Sequence, residues 1–290
     1  MVDDEDLETE VEVKPFRFTI LHAAGLIVLF VSLQLWISFL LSRTGLSFLV
    51  NSDSWPHISI ANGIAGFLTI AAGAVLIGFS AQDIWQSLRF KLSALVPVVC
   101  CALGMAILSS ELSNLLQSIQ PISEDYSKLF DSLMGQNLAG LLLAVAFVAP
   151  VTEELIFRGM IQDGLRLTYR THTAVLTSAI LFGLVHGLPW LMINAFLLGL
   201  FFSWLRLRTD SLGPGIVAHS LYNAIPFLLT KFFKFDIPGL TTLSNEKVTF
   251  QPIWLDFLGA FLLVAGILAV RALFKPAETE KVAPAVENVV

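Results

Sequence analysis

This sequence predicts an all-α bundle that crosses a membrane about eight times, and three observations carry that expectation. Of its 290 residues 56% are hydrophobic and only 14% charged, with a mean hydropathy of +0.77. A soluble domain carries nearer a quarter charged residues. The apolar residues gather into runs of about 20, the length an α-helix needs to cross roughly 30 Å of hydrocarbon. Lysine and arginine, finally, fall unevenly between the two ends of those runs, which gives the chain one orientation.

Residues 1–17 carry Asp3, Asp4, Glu5, Asp6, Glu8, Glu10 and Glu12 and supply much of the net charge of −6. They read as a solvated, disordered cytoplasmic tail. No basic patch points to nucleic acid, and none is expected as a partner. Spans are expected at 18–41, 58–80 and 92–115. The first is preceded by acid, is too long for a signal h-region and lacks a small-residue cleavage site, so it reads as an anchor that stays. The second carries Gly63, Gly66, Gly73 and Gly78, which permit close helix approach. Cys100 and Cys101 are neighbours in the third and poorly placed to bridge. A polar link at 117–136 has room for a short amphipathic helix around 126–134. A fourth run starts near Leu138 and leads into Glu153. Spans at 173–188, 190–205, 212–229 and 253–270 complete the set, and 275–290 form a second disordered tail. The organisation is therefore one membrane domain, 18–274, with the chemistry gathered in about 138–230. With the N-terminus in the cytoplasm, twelve Lys and Arg lie inside against five outside, which puts both termini inside. The loop at 231–251 is the one poor fit.

Charges within a bilayer are expensive, so they are paired or used. Glu153, Glu154 and Arg158 sit at the end of the fourth run. Glu154 and Arg158 are i and i+4 on one helix face, in the favourable order for an ion pair. Glu153 points about 100° away and lacks that local partner. Three later positions supply candidates: His186 near the end of the fifth span, and His219 with Asn223, again i and i+4, on the seventh. At about 1.5 Å per residue, Glu153 lies roughly 25 Å above Arg170, and His186 roughly 20 Å above Thr173. His219 and Asn223 lie roughly 14 and 20 Å above Asp210. Side chains from three helices thus reach one band of depth. A carboxylate free of its own ion pair beside an imidazole can deprotonate a water. A second imidazole and a carboxamide are donors suited to a developing oxyanion.

Glu-Glu-x-x-x-Arg at 153–158, Phe-x-x-x-His at 182–186 and His-x-x-x-Asn at 219–223 together resemble the three signature motifs of the CPBP intramembrane protease family. That family covers the type II CAAX prenyl endopeptidases and their bacterial relatives, the Abi proteins. The resemblance covers about 138–230. It implies an eight-span, glutamate-dependent endopeptidase in a plasma or bacterial inner membrane, with its site open toward the cytoplasm. Its substrate would be a membrane-anchored or lipidated protein. The family's roles carry over as Glu153 and His186 activating water, His219 and Asn223 forming the oxyanion hole, and Glu154 with Arg158 as the supporting pair.

Other readings stand beside this one. Two histidines and a glutamate can bind zinc, but there is no His-Glu-x-x-His, and Asn223 suits a donor better than a ligand. No cofactor is expected. A catalytically silent immunity or scaffold protein would be free to lose one of the four groups, and all four are present. A proton-coupled transporter predicts internal repeats, and none is visible. His22, His57 and His172 read as solvated span ends. Asn194 reads as a polar group facing the bundle.

Overall fold

The computed structural model describes residues 17–46, 51, 54–121, 124–241 and 248–274. Apart from Arg17, both expected tails lie outside the described residues. The described residues contain no strand. In chain order the helices are α1 (Ile20–Ser42), α2 (Trp55–Ile77), α3 (Ala81–Ser87), α4 (Leu95–Ile119), α5 (Glu124–Gly135), α6 (Leu138–Arg166), α7 (Thr171–Leu184), α8 (Pro189–Thr209), α9 (Gly213–Phe227) and α10 (Ile253–Leu273).

Six of these are long and apolar enough to cross a membrane: α1, α2, α4 with its 3₁₀ lead from Leu92, α6, α8 and α10. Of the other two expected spans, α7 stops short of the end of its apolar run, and α9 fills its run only with an added π-helical turn. α7 has 14 residues, about 21 Å of helix, and stops before Gly187, whose φ of 71° lies in the left-handed region. Pro189 then starts α8 at a position where a missing N–H costs nothing. α9 has 15 residues and continues as a π-helical turn, Leu228–Phe232, just past Pro226. α6 ends at Arg166, one turn short of Arg170.

α6 is the centre of the bundle. It touches α2, α7, α8 and α9, while α1 packs on α2, and α4 packs on α9 and α10. Its closeness to α2 depends on two of the glycines singled out above. A Cβ on Gly66 would lie 2.5 Å from Thr152 Cγ2, and one on Gly73 2.7 Å from Met160 Cγ. At the periphery α1 and α10 present Leu21, Val28, Leu35, Phe257, Phe261 and Val264 outward, which is where a bilayer places apolar side chains.

α6 is not a regular helix. Two π-helical stretches, Leu142–Val148 and Leu155–Gln162, flank the α-helical turn Ala149–Glu154. In the first, the Ala149 N–H donates to Ala144 O, five residues back. The next carbonyl in that register, Val145 O, would need a proton on the Pro150 nitrogen, which has none. That carbonyl is left for another donor. π-helical turns inside α-helices are frequent at functional sites.

α3 lies between spans and buttresses the start of α9. Ser80 and Asp83 cap it reciprocally, with Ser80 Oγ–H donating to Asp83 Oδ2 at 2.6 Å and the Asp83 N–H to Ser80 Oγ at 3.2 Å. The Ser80 side-chain bond, and then the bond from its backbone N–H, hold the Asp83 carboxyl below the ordinary aspartate range. At the other end of α3, Ser87 O accepts from Leu212 N at 2.6 Å and from Ser211 Oγ at 2.9 Å.

Candidate active site

The site is built outward from a buried ion pair. Arg158 Nη1 lies 3.0 Å from Glu154 Oε1, and the two side chains are 0% and 1% exposed. Arg158 Nη2 also donates to Gly199 O on α8 at 3.1 Å. The guanidinium carbon sits 4.5 Å from the Phe182 ring centre and 5.3 Å from that of Phe202. A desolvated cation over aromatic faces gains from both ring quadrupoles.

α9 brings His219 to this pair. His219 Nδ1 is 3.1 Å from Glu154 Oε1, and Nε2 is 3.7 Å from Glu153 Oε2. Glu154, paired with Arg158, is an acceptor only, so the hydrogen bond assigns the proton to Nδ1. The imidazole stacks on Phe202 at 4.8 Å and 23°, and meets the edge of Phe182 at 5.8 Å. Gly215, one turn before His219, lets α9 come this close. A Cβ there would lie 3.0 Å from Glu154 Oε2. Gly215→Leu is accordingly expected to cost about 1–3 kcal/mol through overpacking. Thermal unfolding in detergent measures it, with Gly25→Leu, at a position open on all sides, as the neutral control.

Glu153 differs from its neighbour. Its side chain is 18% exposed and accepts no hydrogen bond among the described residues. No hydrogen bond or ion pair joins it to His186. Half-buried His186 sits in the turn after α7, where Nδ1–H donates to Phe182 O at 2.8 Å, leaving the lone pair on Nε2. Phe182 links the two histidines, its ring lying 5.0 Å from that of His186. Asn223, one turn above His219, donates from Nδ2 to Val145 O at 2.9 Å, the carbonyl that Pro150 leaves open. Among the described residues no three His, Cys, Asp or Glu side chains form a ligand set for a metal.

Residues 135–225 match the family model described as type II CAAX prenyl endopeptidase Rce1-like. Over this stretch the chain is similar to that family. All six site candidates fall inside it, on α6, α9 and the turn after α7. The likeness is to a protease family of the CAAX type. Two of the six membrane-length apolar helices fall within the stretch and four outside it, in an integral, multi-pass membrane protein. Neither the curated proteins nor the solved structures give a match to this chain.

Sequence reasoning gave Glu154 one partner, and the fold gives it two. It also missed Phe202, one aromatic among 23 phenylalanines, and Val145, a backbone acceptor that only the Pro150 register reveals. Gly215 had a signal in the spacing Gly215, His219, Asn223, three positions one turn apart. Asn194 lies outside the Rce1-like ion-pair network. Its Nδ2 donates to Ser113 Oγ at 2.8 Å and to Trp190 O at 3.2 Å, tying α8 to α4. His57, expected to be solvated, is 2% exposed and bonded to Ser38 at 2.6 Å.

Proposed function

We propose that this chain is an intramembrane endopeptidase that hydrolyses a peptide bond near a membrane-embedded or lipidated segment. The observation that carries the reading is the contrast between the two adjacent carboxylates. Glu154 is consumed by Arg158 and His219, whereas Glu153 stays partly accessible beside His219 Nε2.

In the proposed reaction Glu153, with His186 Nε2, holds a water and takes one of its protons. The water oxygen bonds to the scissile carbonyl carbon. The oxyanion receives hydrogen bonds from His219 and from the second N–H of Asn223, whose first is held by Val145. When the intermediate collapses the C–N bond breaks, the abstracted proton passes to the leaving amine, and the water oxygen remains in the new carboxylate. Glu154 accepts from His219 Nδ1–H and fixes the ring, so that donation to the oxyanion falls to Nε2–H of the doubly protonated imidazolium, and Arg158 keeps Glu154 in place. No cofactor enters these steps. The membrane setting and the family's prenyl endopeptidase description support a lipidated or membrane-anchored protein as substrate.

The test is cleavage of a membrane-anchored reporter library by detergent-purified protein, with and without a zinc chelator. Asn223→Ala is expected to lower kcat about 10²–10³-fold with KM little changed, as loss of one oxyanion donor does elsewhere. His186→Ala and His219→Ala should also lose activity, and the chelator should leave the wild type unaffected. Activity abolished by the chelator overturns the metal-free mechanism. A wild type that cuts nothing, while Glu153→Ala still performs the protein's cellular role, replaces the enzyme with a scaffold.

A further inference from the structure

We propose that the groove between α8 and α10 binds one anionic phospholipid, with an acyl chain along the groove and the phosphate held by Arg208 and Arg271. The site lies apart from Glu153 and does not depend on the reaction proposed above.

α8 and α10 both pack on α4. Between them lies a groove of about 570 Å³, within the range of about 300–1,000 Å³ that ligand sites occupy. Leu197, Phe201 and Trp204 line it from one face of α8, Met105 and Leu112 from α4, and Ile267 from α10. Positions 197, 201, 204 and 208 share that face of α8, so Arg208 ends the apolar stripe. From Leu197 to Arg208 the stripe rises about 16 Å, at about 1.5 Å per residue. The hydrocarbon of one leaflet is half of about 30 Å. The groove thus has the length of one acyl chain, with cations where a headgroup begins. Leu197 is 41% exposed, so the groove opens along the outer surface of the bundle, where lipid chains lie.

The charges at that end fix the chemistry of the occupant. Arg271, one turn after Ile267, lines the end of the groove. Arg208 Nη2 donates to Arg271 O, one of the last carbonyls of α10, at 2.7 Å. That bond joins the last turns of α8 and α10. Arg208 Nε is buried and has no hydrogen-bond partner among the described residues. Lys91, just before the 3₁₀ lead of α4, adds a third cation, its Nζ 5.6 Å from the centre of the Phe274 ring. Arg206, in the same turn of α8, is different: Asp163 and Asp210 pair with it at 2.8 and 3.0 Å. Among the described residues no carboxylate pairs with Arg208, Arg271 or Lys91. The dipole of a helix C-terminus favours a cation but does not neutralise it. A phosphodiester accepts from a guanidinium fork, and basic pockets between membrane helices take anionic headgroups. A zwitterionic lipid brings its own cation and leaves these charges uncompensated. A free anion leaves the groove unfilled.

Native mass spectrometry of the full chain, released from micelles doped with phosphatidylglycerol or phosphatidylcholine, tests this. The wild type is expected to retain one phosphatidylglycerol, roughly tenfold more readily than phosphatidylcholine. Arg208→Gln and Arg271→Gln each remove charged hydrogen bonds to the phosphate and should lower that retention roughly tenfold. Leu197→Trp fills the groove and should lower retention of both lipids. Leu197 and Arg271 are exposed, so neither change disturbs the core. Arg43→Gln, at an exposed arginine just past α1, should bind lipid as the wild type does. Equal retention of the two lipids, an equal loss in Arg43→Gln, or unchanged retention in Leu197→Trp overturns the proposal. So does displacement of phosphatidylglycerol by equimolar prenylated peptide, which gives the groove to the lipid of a substrate. Displacement by equimolar inorganic phosphate also overturns it and leaves only a basic patch.

Discussion

Replacing Glu153 by glutamine is expected to lower kcat by about 10²–10⁴-fold, the range that a general base supplies. The carboxamide keeps the shape of the side chain and removes the group that accepts the proton. Glu153 makes no hydrogen bond within the described residues, and its ion pair there is the 3.7 Å approach to His219, so a variant of the same shape loses little that holds the fold. Its unfolding midpoint should stay within error of the wild type. KM should change little, because the lost interaction belongs to the transition state. Steady-state kinetics on any cleaved reporter checks this. A fall in stability that matches the fall in rate would mean that Glu153 is a structural residue.

The second large effect is on folding. Arg158→Ala is expected to destabilise the protein by about 3–5 kcal/mol, since it leaves the Glu154 carboxylate buried without its cation. It also removes a hydrogen bond to Gly199 O and the packing on Phe182 and Phe202. Equilibrium unfolding in mixed detergent micelles measures the loss. The double variant Glu154→Met, Arg158→Met should recover part of it, because no uncompensated charge remains. A single-variant loss under about 1 kcal/mol would place the pair in a solvated setting, against its near-zero exposure.

Helical spacing made much of this site legible. Glu154 and Arg158 are one turn apart in the sequence and 3.0 Å apart in space. His219 and Asn223 share a face of α9, as an i, i+4 pair must. The long apolar runs gave the all-helical membrane class, because hydrocarbon leaves the backbone few other choices. What stayed hidden is long-range or depends on backbone register. Nothing local to Glu154 announces His219, 65 residues away. The first π stretch of α6 goes with where one proline falls in a ladder whose register the sequence does not state. Span lengths failed at α7 because apolarity says what a bilayer accepts, not where a left-handed residue such as Gly187 ends a helix. His57 was misplaced because Ser38, its buried partner, lies on another helix.

The claim at the centre is that Glu153 directs water onto a peptide bond. Cleavage of the reporter library in H₂¹⁸O, with the products read by mass spectrometry, tests it most directly. The wild type should yield a new C-terminus carrying one ¹⁸O atom, and Glu153→Gln, folded to the same midpoint, should yield none at the same protein concentration. Equal yields of that labelled product from both proteins would contradict the account.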